Sequence, residues 1–65
     1  MEKAILALKA HRTAKKMTQN EMARKLGITE GTYSKIERGV NRPSSILKTL
    51  IEVSFDIPYK DWEND

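Results

Sequence analysis

The sequence predicts an all-α protein, a compact bundle of about five short helices that forms one domain over residues 1–65. Apolar residues recur at helical spacing in several short segments. Residues typical of helix N-caps, together with glycines, divide these segments from one another. No linker, repeat or low-complexity segment splits the chain. A chain of this length buries only about 60% of the surface that its unfolded form exposes, so we expect a small core.

The first helix is predicted from about residue 2 to residue 15. One of its faces holds the residues Ala4, Ile5, Leu8, His11 and Arg12. A lone histidine on such a face, with no carboxylate or second ligand nearby, is more often a packing residue than a metal ligand or a catalyst. We therefore expect His11 to be partly buried and structural.

The second and third helices are predicted within TQNEMARKLGITEGTYSKIERG, residues 18–39. Thr18 and Glu21 have the spacing of a capping box, and Gly27 suits the end of the second helix. Thr29 is an N-cap for a third helix over about residues 30–38. The apolar residues between the caps of the second helix are Met22, Ala23 and Leu26. Because the connection is so short, the two helices must cross steeply, as in a helix-turn-helix.

The third helix has two distinct faces. One carries Tyr33 and Ile36 together with Thr32. The other, called the outer stripe below, consists of Glu30, Gly31, Ser34, Lys35 and Arg38. The outer stripe has no apolar side chain, two cations and one glycine, which suits a charged surface at close range such as a DNA groove. An ordinary solvated helix face has the same charges, and both interpretations stay open on composition alone.

Two further elements are predicted after a short loop at residues 40–43. Ser44 is an N-cap for a fourth helix over about residues 45–55, whose apolar face closes the core. That face comprises Ile46, Leu47, Leu50, Ile51, Ser54 and Phe55. A short fifth helix follows, with Pro58 near its first turn. Tyr59 and Trp62 share one of its faces, and they either seal the domain or contact a second copy of the chain.

Charge is unevenly distributed along the chain. The net charge is +3, with a net +6 over residues 1–42 and a net −3 over residues 43–65. A clustered positive field attracts polyanions, and nucleic acid is a natural partner. Basic surfaces also occur on proteins that bind no nucleic acid.

Other function classes are disfavoured. The chain has no cysteine and one histidine, so neither a disulfide nor a metal cluster is expected, and no cofactor or small-molecule ligand is evident. No arrangement of paired carboxylates or of nucleophile and base suggests an enzyme. The apolar start of the chain is too short for a signal peptide or a membrane span, so we expect a cytoplasmic protein.

The chain resembles the DNA-binding domains of the lambda repressor and Cro family, the XRE-type helix-turn-helix. The residues that carry the resemblance are Met17, Thr18, Gln19, Glu21, Ala23, Leu26, Gly27, Thr32, Ser34, Ile36, Glu37, Gly39, Pro43 and Ser44. Weaker agreement runs from about residue 8 to residue 62. Lys16 and Asp56 depart from the family pattern, since glycine is usual where each of them ends a helix.

The resemblance implies a regulator that binds double-stranded DNA through the major groove. The implied base-edge residues are Gln19, Glu30, Gly31, Ser34 and Lys35, and the implied phosphate contacts are Thr18, Arg38, Asn41 and Arg42. We also expect a homodimer on operator half-sites about 34–36 Å apart, since one domain offers few contacts. The Tyr59 and Trp62 region is a candidate contact because large aromatic side chains are favoured at interfaces. The implied role is repression, as in phage and mobile-element regulators or small antitoxins.

Arg12 and Glu37 match positions that commonly pair across the domain in this family, and we expect the same pair here. A different class of function also fits the sequence. In that alternative the chain keeps the helix-turn-helix geometry but its basic face binds an acidic protein partner. Salt-sensitive binding to random duplex DNA separates the two hypotheses.

Overall fold

The computed structural model describes residues 1–63 and consists of helices packed around one core. The α-helices are α1 (Glu2–Ala14), α2 (Gln19–Leu26), α3 (Glu30–Glu37) and α4 (Ser45–Phe55), and a 3₁₀ helix spans Tyr59–Trp62. The all-α prediction is confirmed, but the fifth element is a single 3₁₀ turn rather than an α-helix. Within residues 1–63, none of the helices has the length and apolar character needed to cross a membrane.

Side-chain caps fix where three of the helices begin. Thr18, Thr29 and Ser44 each accept a hydrogen bond from the backbone N–H three residues later, at 3.1, 3.2 and 3.2 Å. Glu21 completes the predicted capping box, because its Oε1 accepts from the backbone N–H of Thr18 at 2.8 Å. These bonds satisfy N–H groups that the helices themselves leave unpaired.

Left-handed residues follow the helix C-termini, and two of them are not glycines. Gly27 and Gly39 have φ of 71° and 77°, the region that glycine enters at little cost. Lys16 and Asp56 take the same conformation, with φ of 55° and 59°. Lys16 and Asp56 therefore keep the backbone turn that glycine usually makes at these positions. Their side chains make this left-handed conformation less favourable than it is for glycine.

The core lies between α1, α2, α3, α4 and the 3₁₀ helix. Its buried apolar residues are Ala4, Leu8, Met22, Ala23, Leu26, Tyr33, Ile36, Leu47, Ile51, Phe55, Ile57 and Trp62. The ring of His11 is half-buried, with its centre 4.8 Å from that of Phe55. The predicted packing role of His11 is therefore confirmed.

The predicted apolar face of α4 is only partly correct. Leu47, Ile51 and Phe55 enter the core, whereas Ile46 is 76% exposed and Leu50 is 41% exposed. Val53 is 79% exposed and lies close to these two around the helix. An outer helix can turn only one face to its own core, so a band wider than that face leaves some of its members in solvent.

The sequence leaves two alternatives for Tyr59 and Trp62, which are packing within the domain and contact with a second copy of the chain. The structure decides between them for Trp62. Its side chain is completely buried within the domain, so it cannot take part in the dimer contact considered from the sequence. Tyr59 is half-buried, with the ammonium of Lys48 5.3 Å from the centre of its ring. The position of the 3₁₀ helix is also supported by Arg42, whose Nη1 donates to the backbone carbonyl of Trp62 at 3.3 Å.

Candidate nucleic-acid interface

Helix α3 is divided between the core and the surface. Tyr33, Ile36 and Glu37 are buried, which fixes the rotation of the helix about its axis. Four members of the outer stripe are exposed and Ser34 is partly exposed, so the stripe faces away from the core along the whole helix. The structure therefore separates the two faces of α3 as predicted, except that Thr32, expected beside Tyr33 and Ile36, is exposed.

Arg12 and Glu37 form the predicted ion pair between α1 and α3. Arg12 Nε lies 2.9 Å from Glu37 Oε2, and Arg12 Nη2 lies 3.1 Å from Oε1. Parallel bonds of this kind are the strong geometry for an arginine and a carboxylate. Arg12 also reaches the backbone carbonyl of Met17 through Nη1, at 3.4 Å.

Two further side chains complete a cluster around Glu37. The hydroxyl of Tyr33 donates to Oε2 at 2.7 Å, and Nε2 of Gln19 donates to Oε1 at 3.0 Å. Burial alone would raise the pKa of Glu37, but the hydrogen bonds from Arg12, Tyr33 and Gln19 and the charge of Arg12 hold that pKa below its ordinary value. Burial and the bond to Glu37 raise the pKa of Tyr33, which stays a neutral donor.

This four-residue cluster, called the Glu37 cluster below, joins three helices. Arg12 comes from α1, Gln19 from the first position of α2, and Tyr33 and Glu37 from α3. Each carboxylate oxygen of Glu37 accepts two hydrogen bonds, so the buried charge is well satisfied. The cluster therefore fixes α2 and α3 in position on α1.

The predicted base-edge residues lie at two neighbouring sites. Glu30 and Gly31 form the first turn of α3, and Ser34 and Lys35 follow one turn later. Gln19 opens α2 and is only partly exposed, because its amide belongs to the Glu37 cluster. A Cβ at Gly31 would meet nothing within 4 Å, so packing within the domain does not require a glycine there.

The residues predicted to contact phosphates differ in the hydrogen bonds that they already make within the domain. Asn41 is exposed in the loop before α4, and Arg38 is exposed with its Nε 3.4 Å from the carbonyl of Ser34. Thr18 uses both its hydroxyl and its backbone N–H in the capping box, and the hydroxyl still has a proton to donate. Arg42 is partly engaged by the carbonyl of Trp62.

The roles of Tyr33 and Gln19 in the Glu37 cluster are not evident from the sequence. Tyr33 and Glu37 are four residues apart and so lie on one side of a helix, which is the only local signal for that bond. Gln19 and Glu37 are separated by 18 residues and meet only because α2 and α3 cross.

Comparison with known proteins agrees with this geometry. A family model described as helix-turn-helix matches residues 8–56. The uncharacterized HTH-type transcriptional regulator YqaE of Bacillus subtilis (strain 168) is 49% identical over 47 residues, which are 72% of this chain and 39% of that protein. This chain therefore spans about two-fifths of the length of the curated relative. No solved structure gives a significant match. The chain belongs to the XRE-type helix-turn-helix family, that of the lambda repressor and Cro DNA-binding domains.

Proposed function

We propose that this chain is a sequence-specific, double-stranded DNA-binding transcriptional regulator in which α3 enters the major groove with its N-terminal end toward the bases. The observation that carries the proposal is the division of α3. Its inner face is buried and its carboxyl end is held by the Glu37 cluster, while the outer stripe is presented to solvent. A rigid helix with a polar outer face is what base readout requires.

Four members of the outer stripe suit particular roles in the groove. Lys35 can donate to the O6 and N7 acceptors of guanine, and Glu30 can accept from the amino group of cytosine. Ser34 can donate or accept. Gly31 reads no base by side chain, and its small volume lets the backbone approach the groove closely.

Phosphate contacts would orient the domain on the duplex. Arg38, Asn41 and Thr18 lie at the surface around α3, and each can donate to a phosphate oxygen. Arg42 is a weaker candidate, because its guanidinium also supports the carbonyl of Trp62. The net +6 charge of residues 1–42 would draw DNA toward this side.

A second copy of the chain belongs to the proposal, since one domain makes few base contacts and operators of this kind hold two half-sites. The exposed face formed by Ile46, Leu50 and Val53, called the outer α4 face below, is the contact that we propose. Its residues lie within an arc of about 60° that contains neither charge of α4, Lys48 or Glu52.

The outer α4 face is also close to self-complementary. Its residues are separated by steps of four and three around Leu50. In an antiparallel, two-fold contact Leu50 would pack on its own copy and Ile46 would pack against Val53 of the other chain. The dimer, a repressor role and a cytoplasmic location all remain parts of the proposal.

A salt titration tests DNA binding directly. Fluorescence anisotropy of a labelled random-sequence duplex should rise with protein concentration at low salt, and the logarithm of the binding constant should fall linearly with the logarithm of salt concentration. Absence of binding at low salt would contradict the proposal. That outcome would favour the other hypothesis, in which the basic face binds an acidic protein.

A further inference from the structure

The side-chain amide of Gln19 is held in one orientation by Glu37. Its Nε2 donates to Glu37 Oε1 at 3.0 Å. An ionised carboxylate only accepts hydrogen bonds, so the nitrogen of the amide must face it. In the reverse orientation the amide oxygen of Gln19 would face a carboxylate oxygen of Glu37. Both atoms are acceptors, so no hydrogen bond could form between them.

The carboxylate that sets this orientation is itself fixed. Arg12 binds both of its oxygens, and Tyr33 binds Oε2 at 2.7 Å. Glu37 is 4% exposed, so it has no room to turn toward solvent. Within residues 1–63 the amide oxygen of Gln19 accepts no hydrogen bond and is not buried. This arrangement therefore leaves the oxygen of Gln19, together with the second hydrogen on Nε2, for an external partner.

We propose that Glu37 is a positioning residue for base recognition, and that it makes Gln19 meet the major groove through its acceptor oxygen. This inference rests on the proposed function. The partner of that oxygen is an exocyclic amino group, N6 of adenine or N4 of cytosine. A freely turning glutamine can present either end of its amide to a base, whereas the fixed amide keeps its oxygen available as the acceptor. The second N–H of the fixed amide can add a contact to the N7 acceptor of a purine.

Base analogues test this inference on the wild-type protein. Every base pair shows one amino group in the major groove, so a preference for one base does not by itself identify the bonded atom. The relevant base pair is first located as the one at which Gln19→Ala changes preference in a selection from random duplexes. In the selected duplex, adenine at that pair is then replaced by purine, which lacks N6, or by 7-deazaadenine, which lacks N7. For cytosine the replacement is 2-pyrimidinone, which lacks N4.

Loss of the amino group should weaken wild-type binding about two- to tenfold, the range for one hydrogen bond, and should not weaken Gln19→Ala further. Loss of N7 removes at most a contact of the second N–H of Gln19 and should leave the contact to the amino group in place. The inference is overturned if loss of N7 weakens binding and loss of the amino group does not, or if Gln19→Ala changes no base preference. A wild-type protein that selects no duplex would overturn the proposed function and this inference with it.

A pair of variants separates positioning from mere structural support. Glu37→Gln lets the amide of Gln19 adopt either orientation, so the analogue pattern should become less selective for the amino group. Tyr33→Phe removes a different hydrogen bond from Glu37 and leaves Gln19 in place, so it should keep the wild-type analogue pattern even though it also destabilises the domain. Equal changes of pattern in both folded variants would contradict the positioning role.

Discussion

Arg12 and Glu37 face each other in a two-bond contact, with Nε 2.9 Å from Oε2 and Nη2 3.1 Å from Oε1. The pair joins helices that are 25 residues apart in sequence. Glu37 is nearly inaccessible, so the loss of Arg12 would leave a buried carboxylate without its counter-charge.

Arg12→Ala and Glu37→Ala should each lower the free energy of unfolding by about 2–4 kcal/mol, because each leaves one charged partner unpaired. Urea denaturation followed by circular dichroism measures both values. The double variant should lose less than the sum of the single losses, since it leaves neither charge behind. Denaturation midpoints equal to that of the wild type would show that the pair does not support the fold.

Acid should destabilise the domain partly through Glu37. Its pKa is lower in the folded protein than the value of about 4.3 for an unfolded chain. The contribution of Glu37 is therefore complete well above pH 4.3, and it is lost as the pH falls from there through the folded pKa, because the unfolded state binds the proton first.

The acid effect is measured by urea denaturation between about pH 6 and pH 3, a range that includes the ordinary pKa of a glutamate. The stability difference between wild type and Glu37→Gln should shrink as the pH falls. Glu52→Gln is the control, since it removes an exposed carboxylate of α4 that is not part of the Glu37 cluster. A constant difference between wild type and Glu37→Gln would contradict the prediction.

Lys35 and Arg38 should contribute to DNA binding in different ways. Lys35→Ala should cost about 1–3 kcal/mol at one operator position and relax the preference there, because its ammonium reads a base. Arg38→Ala should weaken binding to all duplexes alike and reduce the salt slope by about one unit, because its contact is to a phosphate. Anisotropy titrations against matched and mismatched duplexes measure both effects.

Lys60→Ala is the control for both variants, since it removes an exposed cation from the 3₁₀ helix. Lys60→Ala should leave the sequence preference unchanged, and it should lower the affinity for DNA less than Lys35→Ala or Arg38→Ala does. Identical losses for Lys35→Ala and Arg38→Ala on every sequence would rule out the division between base and phosphate contacts.

The outer α4 face should control self-association. Val53→Glu places a charge on an exposed apolar position, so it should disrupt the dimer without disturbing the core. Sedimentation velocity over a range of protein concentrations, with and without a two-half-site duplex, measures the effect. Thr13→Glu adds the same charge at an exposed position of α1 and should leave self-association unchanged. A dimer that survives Val53→Glu would exclude this face.

Local chemistry explains which parts of the fold could be predicted from the sequence. Thr18, Thr29 and Ser44 were identifiable as caps because a cap depends on residues only three positions away. The bounds predicted for α4 agree with the structure for the same reason.

Features that depend on packing could not be predicted in full. The spacing of apolar residues in α4 does not say which of them reach the core, so Ile46 and Leu50 were wrongly placed inside. The bond between Gln19 and Glu37 depends on how α2 crosses α3, and no local pattern encodes it. At the candidate site, the outer stripe followed from helical periodicity, whereas the fixed amide beside it required the structure.

Selection of bound duplexes from a random pool, repeated at two salt concentrations, tests the central claim most directly. If α3 reads DNA as one half of a symmetric pair, the pool should converge on a sequence with two related half-sites, and binding should weaken at the higher salt. A pool that stays random at low salt, although the protein is folded, would contradict the account.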